Sequence, residues 1–309
     1  MKQIFVNLKR FDVLKSMGGI CPYESADKWI EWVVEECIRF GIGKLEGVSV
    51  SFMFPEALIV TAVKRLQSYP EADTKAIEVG CQGVFREDVA AGGNFGAFST
   101  NRPAAAVKSL GCSWTMIGHS EERKDKFGII ATYDPSTINS DHGRKAAKTT
   151  VDRIINEEVK CAINRGLKVL LCIGETAEEK GEGDFEQQKP RIEAVLREQL
   201  LNGLKGLDKA QLEGNVVIGY EPIWAIGPGK TPPGSDYIAF ISACIKEIME
   251  KEFGFIPAVV YGGGLKEENA GTISKIETID GGLIALTKFT GDIGFYPEDF
   301  KKIIDKYLE

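Results

Sequence analysis

Glu221 stands in the segment VVIGYEPIWAIGPGKT (216–231), just after the β-branched run Val216-Val217-Ile218, which suits a strand buried on both faces. Pro222 follows, disfavours helix at Glu221 and fixes its own φ, so the carboxylate is held at a strand-to-loop corner. A carboxylate fixed there can serve as a general base. The next residues, Ile223-Trp224-Ala225-Ile226, are too apolar for a solvated loop, and Gly227, Pro228 and Gly229 punctuate their far end. That composition predicts a lid that packs down on a reacting centre and excludes water. Gly229-Lys230-Thr231 imitates a P-loop, but Trp224 occupies the place of the first glycine in GxxxxGK[ST], so the nucleotide reading fails on spacing.

An acidic residue after a strand is more often a solvated loop residue, so Glu221 needs partners. Two other strand ends supply them. Residues 114–117 read as a strand ending in Gly118-His119-Ser120-Glu121-Glu122-Arg123, and 4–6 as one ending in Asn7-Leu8-Lys9-Arg10. Glu221 could abstract a proton from carbon, His119 could polarise the adjacent carbonyl oxygen, and Lys9 with Asn7 could neutralise an enediolate and an anionic substrate. This is aldose-ketose isomerisation chemistry, and it requires all three groups at one mouth.

The elements that must position them alternate throughout. Strands are predicted at 4–6, 48–52, 77–81, 114–117, 168–173, 216–218, 258–261 and 283–286. Helical periodicity lies between them, as in Ile30, Val33, Val34, Cys37 and Ile38, in Val151, Ile154, Ile155 and Val159, and in 55–66, 192–204 and 235–253, with a last helix from Pro297. A glycine-rich loop covers 82–99, and 132–148 is polar without clear periodicity. Alternating strands and helices demand a parallel sheet, and the count of eight favours a closed (β/α)8 barrel, a TIM barrel, over a doubly wound sheet. One domain over 1–309 is expected, with insertions at about 10–25 and 128–148. In such a barrel every strand's carboxyl end opens on the same face, which unites Lys9, His119 and Glu221.

Composition excludes several alternatives. At 43% hydrophobic and 27% charged residues the chain is globular, without an apolar run long enough to span a bilayer or a signal-peptide pattern, so a cytoplasmic protein is expected. Seven cysteines without CxxC spacing argue against a disulfide framework, and two histidines against a multi-histidine metal centre. The net charge of −7 argues against nucleic acid, and an anionic substrate would need a local positive site.

The segments NLK, IGHSEER, CIGET, GYEPIWAIGPGK and YGGG, in that order, closely resemble the triosephosphate isomerase family. The resemblance implies Glu221 as base, His119 as a neutral electrophile at a helix N-terminus, Lys9 as the cation and Asn7 as a substrate-binding residue. It also implies that the loop 222–230 closes, that Ser120 fixes the start of the following helix, and that Glu121 is the family's acidic residue after the histidine. Cys172 falls at the family's cysteine near the base, where a packed thiol is the expected role. No metal or organic cofactor is implied. The substrate would be a small phosphorylated sugar, and the 82–99 loop, ending in Gly96-Ala97-Phe98-Ser99, resembles the one through which family members form homodimers.

The departures concern the phosphate grip, which in the family uses backbone amides from the lid glycine, a serine after YGG and paired glycines at the eighth strand's end. Gly227 is kept, Gly264 replaces the serine, and Ala285 and Leu286 replace the paired glycines. Leu286 adds bulk where backbone must approach a dianion. Lys266 and Lys288 could replace lost donors. Leu8 replaces the usual tryptophan, and Asn101 and Glu122 replace the acidic residue and arginine that pair across the family dimer. Three readings follow: interconversion of dihydroxyacetone phosphate and glyceraldehyde 3-phosphate; isomerisation of another small ketose phosphate, such as a tetrulose phosphate; or an inactive barrel kept for binding or regulation.

Overall fold

Side chains alternate across a strand, so each strand of a barrel feeds two cores. The computed structural model describes residues 1–227 and 229–309. Its strands are β1 (Lys2–Asn7), β2 (Val48–Phe54), β3 (Ile77–Cys81), β4 (Trp114–Ile117), β5 (Lys168–Ile173), β6 (Val216–Tyr220), β7 (Val259–Tyr261) and β8 (Gly281–Ile284). They pair in parallel in sequence order, and β8 returns to β1 to close the barrel. Gly281 is required at that seam, because a Cβ there would fall 1.7 Å from the Gln3 carbonyl oxygen.

Phe5, Met53, Trp114, Met116, Leu170, Cys172, Val217, Val260 and Leu283 fill the interior. Phe5 and Trp114 meet edge to face, with centroids 4.9 Å apart. The alternate residues, such as Ile4 and Val6 or Val216 and Ile218, pack outward with the helices in a second core. The same period carries function. Two residues beyond Phe5 comes Asn7, and two beyond Val217 and Gly219 comes Glu221, so both turn inward at the rim.

The helices are α1 (Ala26–Arg39), α2 (Glu56–Gln67), α3 (Ala104–Ser109), α4 (Ser120–Tyr133), α5 (Asp141–Asn164), α6 (Ala177–Lys180), α7 (Phe185–Gly203), α8 (Lys209–Leu212), α9 (Ser235–Phe253), α10 (Glu267–Ile273) and α11 (Pro297–Leu308). Among the described residues none is long and apolar enough to cross a membrane.

Two local expectations are corrected and one is extended. The stretch 132–148, expected to be aperiodic, is the end of α4, a 3-10 turn (Pro135–Ile138) and the start of α5. It lacks periodicity because only Thr137 and Ala147 in it are buried; caps define it instead, with Asp134 accepting from the Ser136 amide and Ser140 Oγ from the Gly143 amide, each at 3.0 Å. The α7 helix extends the periodic stretch 192–204 back to Phe185, after a capping box of Asp184 and Gln187. The eighth strand is Gly281–Ile284 and not 283–286, so Ala285 and Leu286 lie beyond its end.

The stretches 10–25 and 128–148 both fold into defined local structure. The first makes a 3-10 turn (Lys15–Met17) and a bridge between Leu14 and Cys21, and Lys15 pairs with Asp292 at 3.0 Å in the loop after β8. That loop folds as a small hairpin, with an antiparallel bridge between Lys288 and Gly294.

Candidate active site

Asn7 begins the site, because its Oδ1 accepts the Lys9 amide at 2.9 Å and bends the chain sharply after β1. Lys9 sits in the left-handed region at φ 44. Gln82, the first residue after β3, fixes that bend by donating from Nε2 to the carbonyls of Lys9 at 2.9 Å and Met53 at 3.2 Å. The Lys9 ammonium then reaches Glu121 Oε1 at 2.7 Å, across the mouth.

At β4, Gly118 at φ 78 turns the chain so that His119 leads into α4. His119 Nδ1 accepts the Glu121 amide at 3.3 Å, so that nitrogen is unprotonated and Nε2 carries the ring hydrogen. Nε2 lies 3.2 Å from Glu221 Oε1. Glu221, almost fully buried, also receives the Ser120 amide at 2.9 Å on Oε2 and the Ser120 hydroxyl at 3.0 Å on Oε1. The two Ser120 donors therefore hold the carboxylate against the start of α4, with His119 Nε2 beside it.

The supporting charges are arranged around this contact. Burial pushes the Glu121 carboxyl up, but the hydrogen bond and charge of Lys9 outweigh it and hold it below the usual carboxylate range. Burial, reinforced by the Glu221 charge, raises the Cys172 thiol well above its ordinary range, so Cys172 is a packed thiol beside Glu221. Arg123 donates to the carbonyls of Gly118 at 2.8 Å and Cys172 at 3.2 Å and pairs with Asp152 at 2.6 Å, which ties the ends of β4 and β5 together. Glu122, in the place of the family's dimer-spanning arginine, turns inward: it accepts the Gly118 amide at 2.6 Å and pairs with Lys126 at 2.5 Å.

The lid starts with a 3-10 turn (Ile223–Ala225), anchored by Trp224 Nε1 on Glu175 Oε1 at 2.7 Å. The hydroxyls of Tyr220 and Tyr237 reach the same oxygen at 3.0 and 2.7 Å. Burial raises the Glu175 carboxyl, and the three donors pull it back only in part. Gly227 at φ 119 lines the cavity, while Pro228 lies outside the described residues.

Asn7, Lys9, His119 and Glu221 share one open cavity of about 1750 Å3. Its opposite wall carries Gly264, Lys266, Ala285 and Leu286, together with Phe289 and Ile293 from the hairpin. Lys288 does not fit its expected role: its ammonium lies over the Tyr296 ring, 5.5 Å from the centroid, because the hairpin turns it outward. Among the described residues no group of three or more His, Cys, Asp or Glu side chains is gathered as a metal-ligand set. Gln82, Glu175, Arg123 and Asp152 escaped the sequence reading. Gln82 follows a strand end as Asn7 and His119 do, and Glu175 lies within the CIGET segment, so a signal was present for both.

Fold and site together define a (β/α)8-barrel enzyme of the isomerase class, built to move a proton between carbons. A family model described as Triosephosphate isomerase matches residues 43–306. The chain belongs to the triosephosphate isomerase family. A triosephosphate isomerase of Chloroherpeton thalassium is 32% identical over 235 residues, 75% of this chain and 77% of the relative. That of Syntrophotalea carbinolica is 30% identical over 267 residues, 85% of this chain and 89% of the relative. A crystal structure of triosephosphate isomerase from Bartonella henselae has the same fold, with TM-score 0.65 and 24% identity over 100% of this chain and 99% of that one.

Proposed function

We propose that this enzyme interconverts dihydroxyacetone phosphate and glyceraldehyde 3-phosphate through an enediolate. Glu221 leaves Ser120, takes the proton from the carbon beside the carbonyl and returns it to the former carbonyl carbon, while the hydroxyl proton passes to the former carbonyl oxygen. His119 donates its Nε2 hydrogen bond to the carbonyl oxygen as charge develops there, and Lys9 neutralises the enediolate. Asn7 contributes by binding substrate and by setting the Lys9 bend. The observation that carries this reading is the 3.2 Å contact between His119 Nε2 and Glu221 at the mouth where the Lys9 ammonium also lies.

A coupled assay with glyceraldehyde 3-phosphate tests it, and absence of turnover by the wild-type chain would end the triose reading. The tetrulose phosphate reading keeps the same proton shuttle. It draws support from the rebuilt wall, where Leu286, Phe289 and Ile293 stand in place of a glycine-lined turn. Comparing kcat/KM for three- and four-carbon ketose phosphates separates the two.

The 1–309 chain works in this reading as one barrel domain, in the cytoplasm and as a homodimer. Support for the dimer is the 82–99 loop: Phe95 at its tip is 83% exposed, while Asp88 at its base accepts the Ala105 amide at 2.9 Å and pairs with Arg165. An apolar tip on an anchored loop suits insertion into a second copy. Sedimentation of the wild-type chain and of Phe95→Asp measures this, and a wild-type monomer would remove it.

A further inference from the structure

The wall opposite Glu221 holds a cation where the family's pattern places amides. The loop after β7 brings Lys266 into the cavity, and its ammonium lies 4.4 Å from the centroid of Phe289, which the loop after β8 contributes to the same cavity. The aromatic face attracts the ammonium and orients it without neutralising its charge. Its nearest carboxylate, Glu268, stands 3.8 Å away and is 74% exposed, a pairing that water screens heavily.

Part of the backbone on this side is already engaged. The amides of Thr287 and Lys288 both bond the Gly294 carbonyl at 3.1 Å and close the hairpin, and the Lys266 amide bonds Asn269 Oδ1 at 2.8 Å. Leu286 lines the cavity with an apolar side chain. Gly264, at φ 97, leaves open space, since a Cβ there would meet no atom within 4 Å. An anion resting in that space beside Gly264 would meet the Lys266 ammonium as its charged partner from this wall.

We propose that Lys266, steadied by Phe289, is the specificity-determining residue that adds a charged grip on the substrate's phosphate in this enzyme, beside the amides of the loops after β7 and β8. The inference rests on the isomerase reading for its substrate class, a phosphorylated sugar. It assigns Lys266 to binding of the non-reacting end, so it leaves the proton shuttle at Glu221 and His119 untouched. Hydrogen bonds from an ammonium to a dianion are charge-assisted and stronger than neutral ones.

Lys266→Met keeps the stem over Phe289 and removes the charge. It should weaken binding of inorganic phosphate, followed by calorimetry, by roughly 10- to 100-fold. It should lower kcat/KM for glyceraldehyde 3-phosphate by a similar factor and leave the slow turnover of unphosphorylated glyceraldehyde unchanged, while Lys266→Arg should restore most of the loss. Unchanged phosphate affinity in Lys266→Met, or an equal loss on phosphorylated and unphosphorylated substrates, would overturn the proposal. A wild-type chain that binds phosphate through Lys266 but does not turn over glyceraldehyde 3-phosphate would refute the triose reading and support the phosphate assignment.

Discussion

Lys9 is held at φ 44 by the Asn7 side chain on its amide and by Gln82 on its carbonyl, so its replacement separates the stability of the site from its chemistry. A side chain in the left-handed region costs roughly 1–2 kcal/mol, and glycine avoids that while losing about 0.5–1 kcal/mol through a freer unfolded chain. Lys9→Gly should therefore be more stable than Lys9→Ala by roughly 0.5–1 kcal/mol. Both variants lose the ion pair to Glu121, which is 67% exposed, so that loss cancels between them. Activity should move differently. A cation about 4 Å from a developing charge near a protein surface is worth on the order of 4 kcal/mol, so kcat/KM should fall about 1000-fold in both variants. Urea unfolding midpoints give the first comparison and a coupled isomerase assay the second. Equal stability of Gly and Ala at position 9 would refute the strain argument, and retained activity in either would refute the electrostatic role.

Glu221→Asp withdraws the carboxylate by one methylene from His119 and Ser120 and should lower kcat by roughly 100-fold or more with little change in the unfolding midpoint, and an unchanged rate would remove Glu221 from the mechanism. Trp224→Phe keeps an aromatic ring of smaller size and deletes one hydrogen bond to the buried Glu175, a loss of roughly 1.5–3 kcal/mol; hydrogen exchange across Ile223–Ala225 should accelerate, and unchanged protection would show that Trp224 does not anchor this turn. Burial first, and then the Glu122 charge, push the Glu158 carboxyl from its ordinary 4.5 to about 8 against the opposing Lys126 charge. The folded chain therefore binds this proton more tightly than the unfolded one, so the contribution is full below pH 4.5 and is lost as pH rises through about 8. Glu158→Gln should flatten the fall in stability across that window, and an unaltered slope would refute the assignment.

Much of the site was legible because its signals are local. Glu221 precedes a proline, His119 follows a strand and a glycine, and Lys9 follows Asn7, so each side chain could be placed at a strand end from its neighbours alone. Glu122 was legible only as a missing dimer contact; that it caps the Gly118 amide and shares Lys126 with Glu158 depends on how α4 and α5 pack. Lys266 and Lys288 looked equivalent in sequence. The hairpin after β8 turned one away over Tyr296 and set Phe289 under the other.

The sequence by itself determined the eight-fold alternation, the inward direction of Asn7 and Glu221, and the placing of an ammonium, an imidazole and a carboxylate at strand ends, because strand periodicity and proline or glycine restraints act within a few residues. Closure of β8 on β1, the contact between His119 and Glu221, and the use of the Thr287 and Lys288 amides within a hairpin were decided only in the folded chain. Each of these joins residues far apart in sequence, or picks one hydrogen-bond partner among several. The winner is set by the packing of the whole barrel, which no local pattern encodes.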